Sequence, residues 1–201
     1  APVDPTPTPV VTEDPTSGPT EEPTSGPTPT STPSSPDAPL NENPSFETNG
    51  LTGWTLKDAT GDKLKCSTEK DIAHSGNCAF QFKNVDKSGK LQQTVDFTGR
   101  VEKTGSHLQL SLFARVKGNA KGAANVTVIY SDDSKQKFGI DITDAGNGYI
   151  EFSQTAALTQ TNLAKAKIVI KGTNSRGKFL VDDITLKYVE AMSGFSVLPL
   201  P

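Results

Sequence analysis

Few residues in this chain have side chains suited to catalysis. Two histidines, His74 and His107, stand in unrelated contexts. Two carboxylate doublets, Asp132-Asp133 and Asp182-Asp183, are the obvious acids. Neighbouring residues of a strand point to opposite faces. One doublet therefore cannot flank a glycosidic bond, a task that needs carboxyl groups roughly 5 to 9 Å apart across the substrate. No Gly-x-Ser-x-Gly elbow and no phosphate-cradling glycine loop occurs. A non-catalytic protein is expected. Acidic residues meeting from separate strands are the one route to a hydrolase left open.

Cys66 and Cys78 are the only cysteines. Exported proteins favour disulfides, and closing a loop of about 13 residues stabilises by roughly 3 kcal/mol in the chain-entropy model. A Cys66–Cys78 disulfide is expected; the alternative is two buried thiols. With two histidines and no second cysteine pair, a zinc site is not expected. Asn125-Val126-Thr127 is an N-glycosylation acceptor sequence, which makes Asn125 a candidate glycan site.

Residues 1–39 differ from the rest. They hold twelve Pro, nine Thr, five Ser and six acidic residues, with no Lys, Arg or aromatic ring. The sequence Thr12-Glu13-Asp14-Pro15-Thr16-Ser17-Gly18-Pro19 repeats as Thr20-Glu21-Glu22-Pro23-Thr24-Ser25-Gly26-Pro27. Proline at this density fixes φ and removes backbone donors, so an extended, solvated tail is expected, with a reach of roughly 120 Å. Its hydroxyls, Thr16 and Thr24 among them, are candidates for O-glycosylation, and the start APVDP reads as a mature end left after cleavage. The tail carries −6 and the whole chain −3, which leaves +3 on the remainder. Neither value suggests a nucleic-acid partner. No run approaches the roughly 18 apolar residues of a helical membrane span. A secreted or cell-surface protein is expected.

From residue 40 the pattern changes to short alternating runs. Cys78, Phe80 and Phe82 share one face of a run ending at Lys83, and Leu108, Leu110, Leu112 and Ala114 share one face of 108–116. Similar runs cover 125–130, 137–142, 149–154, 166–171 and 178–188, rich in Val, Ile, Phe and Thr. Helical periodicity is weak, and 155–163 reads as a loop with one turn. Nine or ten such strands predict an all-β, antiparallel β-sandwich over 40–190. Trp54 is expected in its core.

Several motifs then line up. Asn43-Pro44-Ser45-Phe46-Glu47 with Gly53-Trp54, 74–80, 91–95 and Phe179-Leu180-Val181-Asp182-Asp183-Ile184 occur in this order. Together they resemble the galactose-binding-like jelly rolls, a group that includes the xylanase- and cellulase-associated carbohydrate-binding modules. The resemblance implies a jelly-roll fold and a structural Ca²⁺, with Glu47, Asp71, Ser75, Gly76 and Asp183 as candidate ligands. Such an ion takes six to eight oxygens. By alternation Asp183 shares the face of Phe179 and Val181, where an unpaired carboxylate is costly. The alternative is that Asp182 or Asp183 accepts turn or backbone hydrogen bonds. Sugar-binding members of the group use aromatic rings beside polar groups. Tyr130 and Tyr149 are the stacking candidates, with Gln92, Gln109, Asn125 and Gln136 as polar partners.

Residues 191–201 concentrate Phe195, Val197, Leu198 and Leu200 beyond the last strand. Apolar side chains of this kind seek a surface, either the domain's own edge or a neighbouring copy by strand addition. Two functions follow. The leading expectation is a self-assembling subunit of a surface fibre or coat, partnered by its own copies or by other surface proteins. The alternative is a carbohydrate-binding accessory module with a polysaccharide partner.

Overall fold

The computed structural model describes residues 38–58, 61–83, 89–98, 107–118, 120–143, 148–173 and 177–190. All of them lie in the second of two units, Ser34–Pro201; the first, Ala1–Pro33, falls outside the described residues. Ten strands follow in chain order: β1 (Thr55–Lys57), β2 (Lys63–Cys66), β3 (Cys78–Phe82), β4 (Lys90–Asp96), β5 (His107–Lys117), β6 (Lys121–Tyr130), β7 (Lys135–Ile142), β8 (Ile150–Ala157), β9 (Leu163–Thr173) and β10 (Lys178–Val189). They form two five-stranded sheets, ordered β1-β4-β9-β6-β7 and β2-β3-β10-β5-β8, in which every pair is antiparallel. The all-β sandwich expected from the alternation is the fold observed. Several strands are longer than the runs suggested: β6, β7 and β9 begin earlier, and the stretch read as a loop at 155–163 begins later. Residues 155–157 continue β8, because they pair with Gln109, Leu108 and His107 of β5.

The period-2 pattern places the core between the sheets. Val126, Val128, Ile168 and Ile170 face inward from the first sheet, and Phe80, Leu110, Leu112 and Val181 from the second, all buried. Phe82 and Phe179 are directly paired across β3 and β10, and their rings stack with centroids 5.1 Å apart. Directly paired in the other sheet are Gly122 and Gly172. A Cβ on Gly172 would lie 2.5 Å from the Phe82 Cβ, and one on Gly122 would meet the Phe179 ring. The glycine pair thus makes the space that the phenylalanine pair fills.

The motif at residues 43–54 closes one end of this core. Asn43 ties its loop together by donating from Nδ2 to the carbonyls of Thr48 and Gly50 and accepting from Thr48 N–H. Phe46 and Trp54 pack with centroids 5.8 Å apart, and Trp54 Nε1 donates to the Asn43 carbonyl. Trp54 is a core residue, as the sequence suggested. Cys66 and Cys78 are directly opposite one another on β2 and β3 and form a disulfide.

Candidate functional site

Each sheet turns its second face outward, and the two outer faces differ in chemistry. On the first sheet the alternation that buries Val126 and Ile168 must present Asn125, Thr127, Lys167 and Val169. Four strands line these residues up in cross-strand rows. One runs Gln92, Val169, Asn125, Gly139; the next runs Thr94, Lys167, Thr127, Lys137. Beyond it lies Asp96, Lys165, Ile129, Lys135, and on the other side Lys90, Lys171, Ala123, Asp141. Neighbouring strands stand about 4.8 Å apart and successive rows about 6.8 Å apart. The result is an open polar surface. Gln92 and Asn125 make no side-chain hydrogen bond among the described residues.

The second outer face carries a cluster built around an irregularity in β10. Between Asp182 and Thr185 the register against β5 slips by one residue, and Asp183 takes a positive φ of 47°. This bulge moves the inward positions from Phe179 and Val181 to Ile184 and Leu186. Asp183 therefore does not share the face of Val181, contrary to strict alternation, and it is Asp182 that is fully buried. Asp182 Oδ2 accepts from His74 N–H at 2.8 Å and Ser75 N–H at 3.1 Å, and Oδ1 accepts from Asp183 N–H. Burial pushes the Asp182 carboxyl up to about 6 against the pull of these donors, and the charge of Asp183 adds to the rise. Asp183 bonds His74 Nδ1 at 2.7 Å and accepts from Ser75 Oγ at 2.7 Å. Both aspartates thus take hydrogen bonds beside the strand, which was the alternative reading of this doublet.

The loop between β2 and β3 is laid onto this face by those bonds. His74 stacks on Phe113, with ring centroids 3.5 Å apart, and meets the edge of Tyr149 at 5.7 Å. Tyr149 donates its hydroxyl to the Ile72 carbonyl at 2.6 Å, and Arg115 lies over its ring. Burial, followed by the charge of Asp182, holds the Tyr149 phenol above its usual range. Beside the cluster is a shallow cavity of about 120 Å³ lined by Lys65, Asp71, Ile72, Gln81, Arg115, Lys117 and Leu180.

Of the residues expected to hold Ca²⁺, Glu47, Ser75, Gly76 and Asp183 gather near the loop at 74–78, and Asp71 stands apart facing Arg115. Glu47 Oε1 accepts from the N–H groups of Asn77 and Cys78. As placed, these carboxylates face backbone and side-chain donors, and among the described residues no three His, Cys, Asp or Glu side chains come together as a metal-binding group. Nothing below is routed through the ion.

The six residues expected to bind sugar do not converge. Gln92 and Asn125 share a row on the first outer face. Gln109 and Tyr149 belong to the second sheet's side, where Gln109 reaches Thr155 Oγ1 and Tyr149 is fixed to Ile72. Tyr130 is a core residue, 1% exposed, so its ring is not available for stacking on a sugar. Its hydroxyl donates to Gln136 Oε1 and accepts from Thr159 N–H, which makes both side chains structural. The sequon residue Asn125 sits exposed in mid-β6, and Thr127 stands one row along the same face. Thr16, Thr24, Phe195, Val197, Leu198 and Leu200 lie outside the described residues. Sequence reasoning passed over Phe113 and Arg115. The signal was present, since Phe113 is an aromatic residue on the polar side of the 108–116 alternation.

Asp132 belongs to the β6–β7 turn, where it accepts from Ser134 N–H and from Gln160 Nε2. Hydrogen bonds from Ser134 hold it below the ordinary carboxylate range.

No family model matches the sequence, and no curated protein matches it. Solved structures do match. A family 61 carbohydrate-binding module, TmCBM61 in complex with β-1,4-galactotriose, aligns with a TM-score of 0.55 at 19% identity, covering 74% of this chain and 97% of that one. The fold is the jelly roll of these modules. A xylan-binding domain of family 22 aligns at 0.53 and 12% identity over 78% of this chain and 99% of its own. The enzymatically active domain of bacteriophage CBA120 tailspike protein 4 aligns at 0.58 and 15% identity, but this chain spans only 22% of it. The resemblance drawn from 43–47, 53–54 and 179–184 is thus matched in three dimensions.

Proposed function

We propose that the domain is a non-catalytic carbohydrate-binding module whose contact surface is the outer face of the β1-β4-β9-β6-β7 sheet. The observation that carries this reading is the row of Gln92, Val169 and Asn125 at the middle of an open five-stranded face. Its two amides have no protein partner among the described residues and stand two strands apart. Amides of this kind donate and accept at once, which suits the adjacent hydroxyls of a sugar. The apolar Val169 between them offers a small contact for a C–H face. Support comes also from the likeness to whole modules named for galactotriose and xylan. These findings favour the carbohydrate-binding alternative over the self-assembling fibre subunit, whose expected contact segment lies outside the described residues.

The carboxylate doublets support a non-catalytic role, because each is engaged locally, one in a turn and one in a bulge. The Cys66–Cys78 disulfide supports passage through an oxidising compartment and hence a secreted protein. Among the described residues no helix is long and apolar enough to cross a membrane.

The test is affinity electrophoresis of the full chain through gels containing galactan, polygalacturonate, xylan or soluble cellulose. Retardation by at least one of them, lost in Gln92→Ala/Asn125→Ala, is the expected outcome. Unaltered mobility in every gel contradicts the reading.

A further inference from the structure

The first outer face is basic as well as polar. Lys135 and Lys165 lie in one row, Lys137 and Lys167 in the next, and Lys171 two rows further on. Within each of the first two rows a single β6 residue separates the lysines, so the ammonium groups rise from points about 10 Å apart, with the two rows about 7 Å apart. These five lysines make no ion pair or side-chain hydrogen bond among the described residues. The acids of the face are fewer than its lysines: Asp58 takes Lys90 at 2.9 Å, Asp141 ends its row opposite Ala123, and Asp96, directly opposite Lys165, caps Thr98 N–H.

No aromatic ring stands in these rows. A ligand here gains little from ring stacking, and its binding energy must come from hydrogen bonds and charge. The row of Gln92 and Asn125 runs between Lys137–Lys167 and Lys171, so that amides which suit hydroxyls are bordered by cations which suit carboxylates or sulfates. We propose that this face takes an anionic polysaccharide, one bearing carboxylate or sulfate groups along its length. The proposal rests on the carbohydrate-binding reading and names the ligand class of that site. The absence of stacking rings from the rows argues against single-stranded nucleic acid, whose bases call for such platforms.

The experiment is affinity electrophoresis of the full chain against polygalacturonate, neutral galactan and single-stranded DNA, in about 20 mM and about 300 mM salt to change the screening length. Lys137→Gln/Lys167→Gln is compared with Lys63→Gln/Lys187→Gln, which removes the same charge from the other sheet. The expected result is retention by polygalacturonate above the other two, weakened about tenfold or more by salt. The same result includes a further loss of about tenfold in the first variant only, as two exposed ion pairs allow. Thermal melts of both variants identify any that fail to fold, and Lys137→Glu alone then serves in place of the pair. Equal retention by galactan and polygalacturonate, untouched by the lysine changes, overturns the charge inference and leaves the module reading standing. Equal or stronger retention by DNA through the same lysines overturns the choice of a polysaccharide. Retention by neither polysaccharide overturns the charge inference, and the module reading falls with it only when xylan and soluble cellulose also leave the mobility unaltered.

Discussion

The pairing of Gly122 and Gly172 under the Phe82–Phe179 stack predicts a specific failure of packing. In Gly172→Ala the new methyl would stand 2.5 Å from the Phe82 Cβ and 2.6 Å from its Cγ. Carbon atoms settle at about 3.5 to 4.0 Å, so the sheets must part locally or the ring must move by about 1 Å. The ring has little freedom to move. Phe179 is stacked on it at 5.1 Å and Phe80 meets its edge at 4.9 Å. Overpacking of this kind costs about 1 to 3 kcal/mol, and the backbone-linked Cβ contact places this site near the upper end. For a domain of this size the expected fall in Tm is about 5 to 10 °C. Phe82→Ala, which removes the Cγ and Cδ1 that the new methyl meets, costs about 3 to 5 kcal/mol alone through the space it leaves. Combined with Gly172→Ala, it is expected to cost at least 1 kcal/mol less than the sum of the two changes. Urea unfolding of the four proteins measures the cycle. A loss below about 0.5 kcal/mol for Gly172→Ala, or strict additivity in the double variant, would refute the argument that the glycines exist to admit the rings.

Three further outcomes are expected. Cys66→Ser/Cys78→Ser removes a cross-link with a sequence separation of 12 and should lower unfolding stability by about 3 kcal/mol, read by urea titration; a loss under 1 kcal/mol contradicts it. Asp182 has its carboxyl raised to about 6, so the folded chain binds that proton more readily than the unfolded one. Its contribution therefore becomes more favourable as pH falls from 7 through 6, and is complete below the ordinary carboxylate value. Discounted for partial screening, wild type should gain about 1 kcal/mol relative to Asp182→Asn between pH 7 and pH 5; a parallel pH course for the two proteins contradicts this. Because the carboxylates near Gly76 face protein donors, EDTA should leave the Tm unchanged within about 1 °C, while a rise of several degrees on adding Ca²⁺ would restore the ion to that loop.

Alternation made most of the fold legible. Leu108, Leu110, Leu112 and Ala114 lie on the inner face that their spacing implies, and Trp54 is in the core. The aromatic and turn residues of 43–54 gave the resemblance, and each now has a local task. What alternation could not convey was the bulge. One extra residue at 182–185 shifts every later side chain of β10 to the other face, and period-2 reasoning has no means of counting it. The candidate site was half legible for the same kind of reason. Gln92 and Asn125 were named individually, yet their place in one row depends on β9 lying between β4 and β6, a matter of topology. The lysine patch was not legible in the sequence, because Lys135, Lys137, Lys165 and Lys167 come together only when β6 separates β7 from β9. Tyr130 misled because a strand tyrosine reads alike whether its ring points outward or, as here, into the core.

The most direct test of the carbohydrate-binding account is a ¹H–¹⁵N chemical-shift map of the full chain during titration with the polysaccharide that retards it most strongly. The account predicts that the side-chain amides of Gln92 and Asn125 and the backbone of 123–129 and 165–171 shift together, while Gln109, Tyr149 and the loop at 71–77 stay still. Shifts confined to that loop and its cavity, with the first outer face silent, would contradict it.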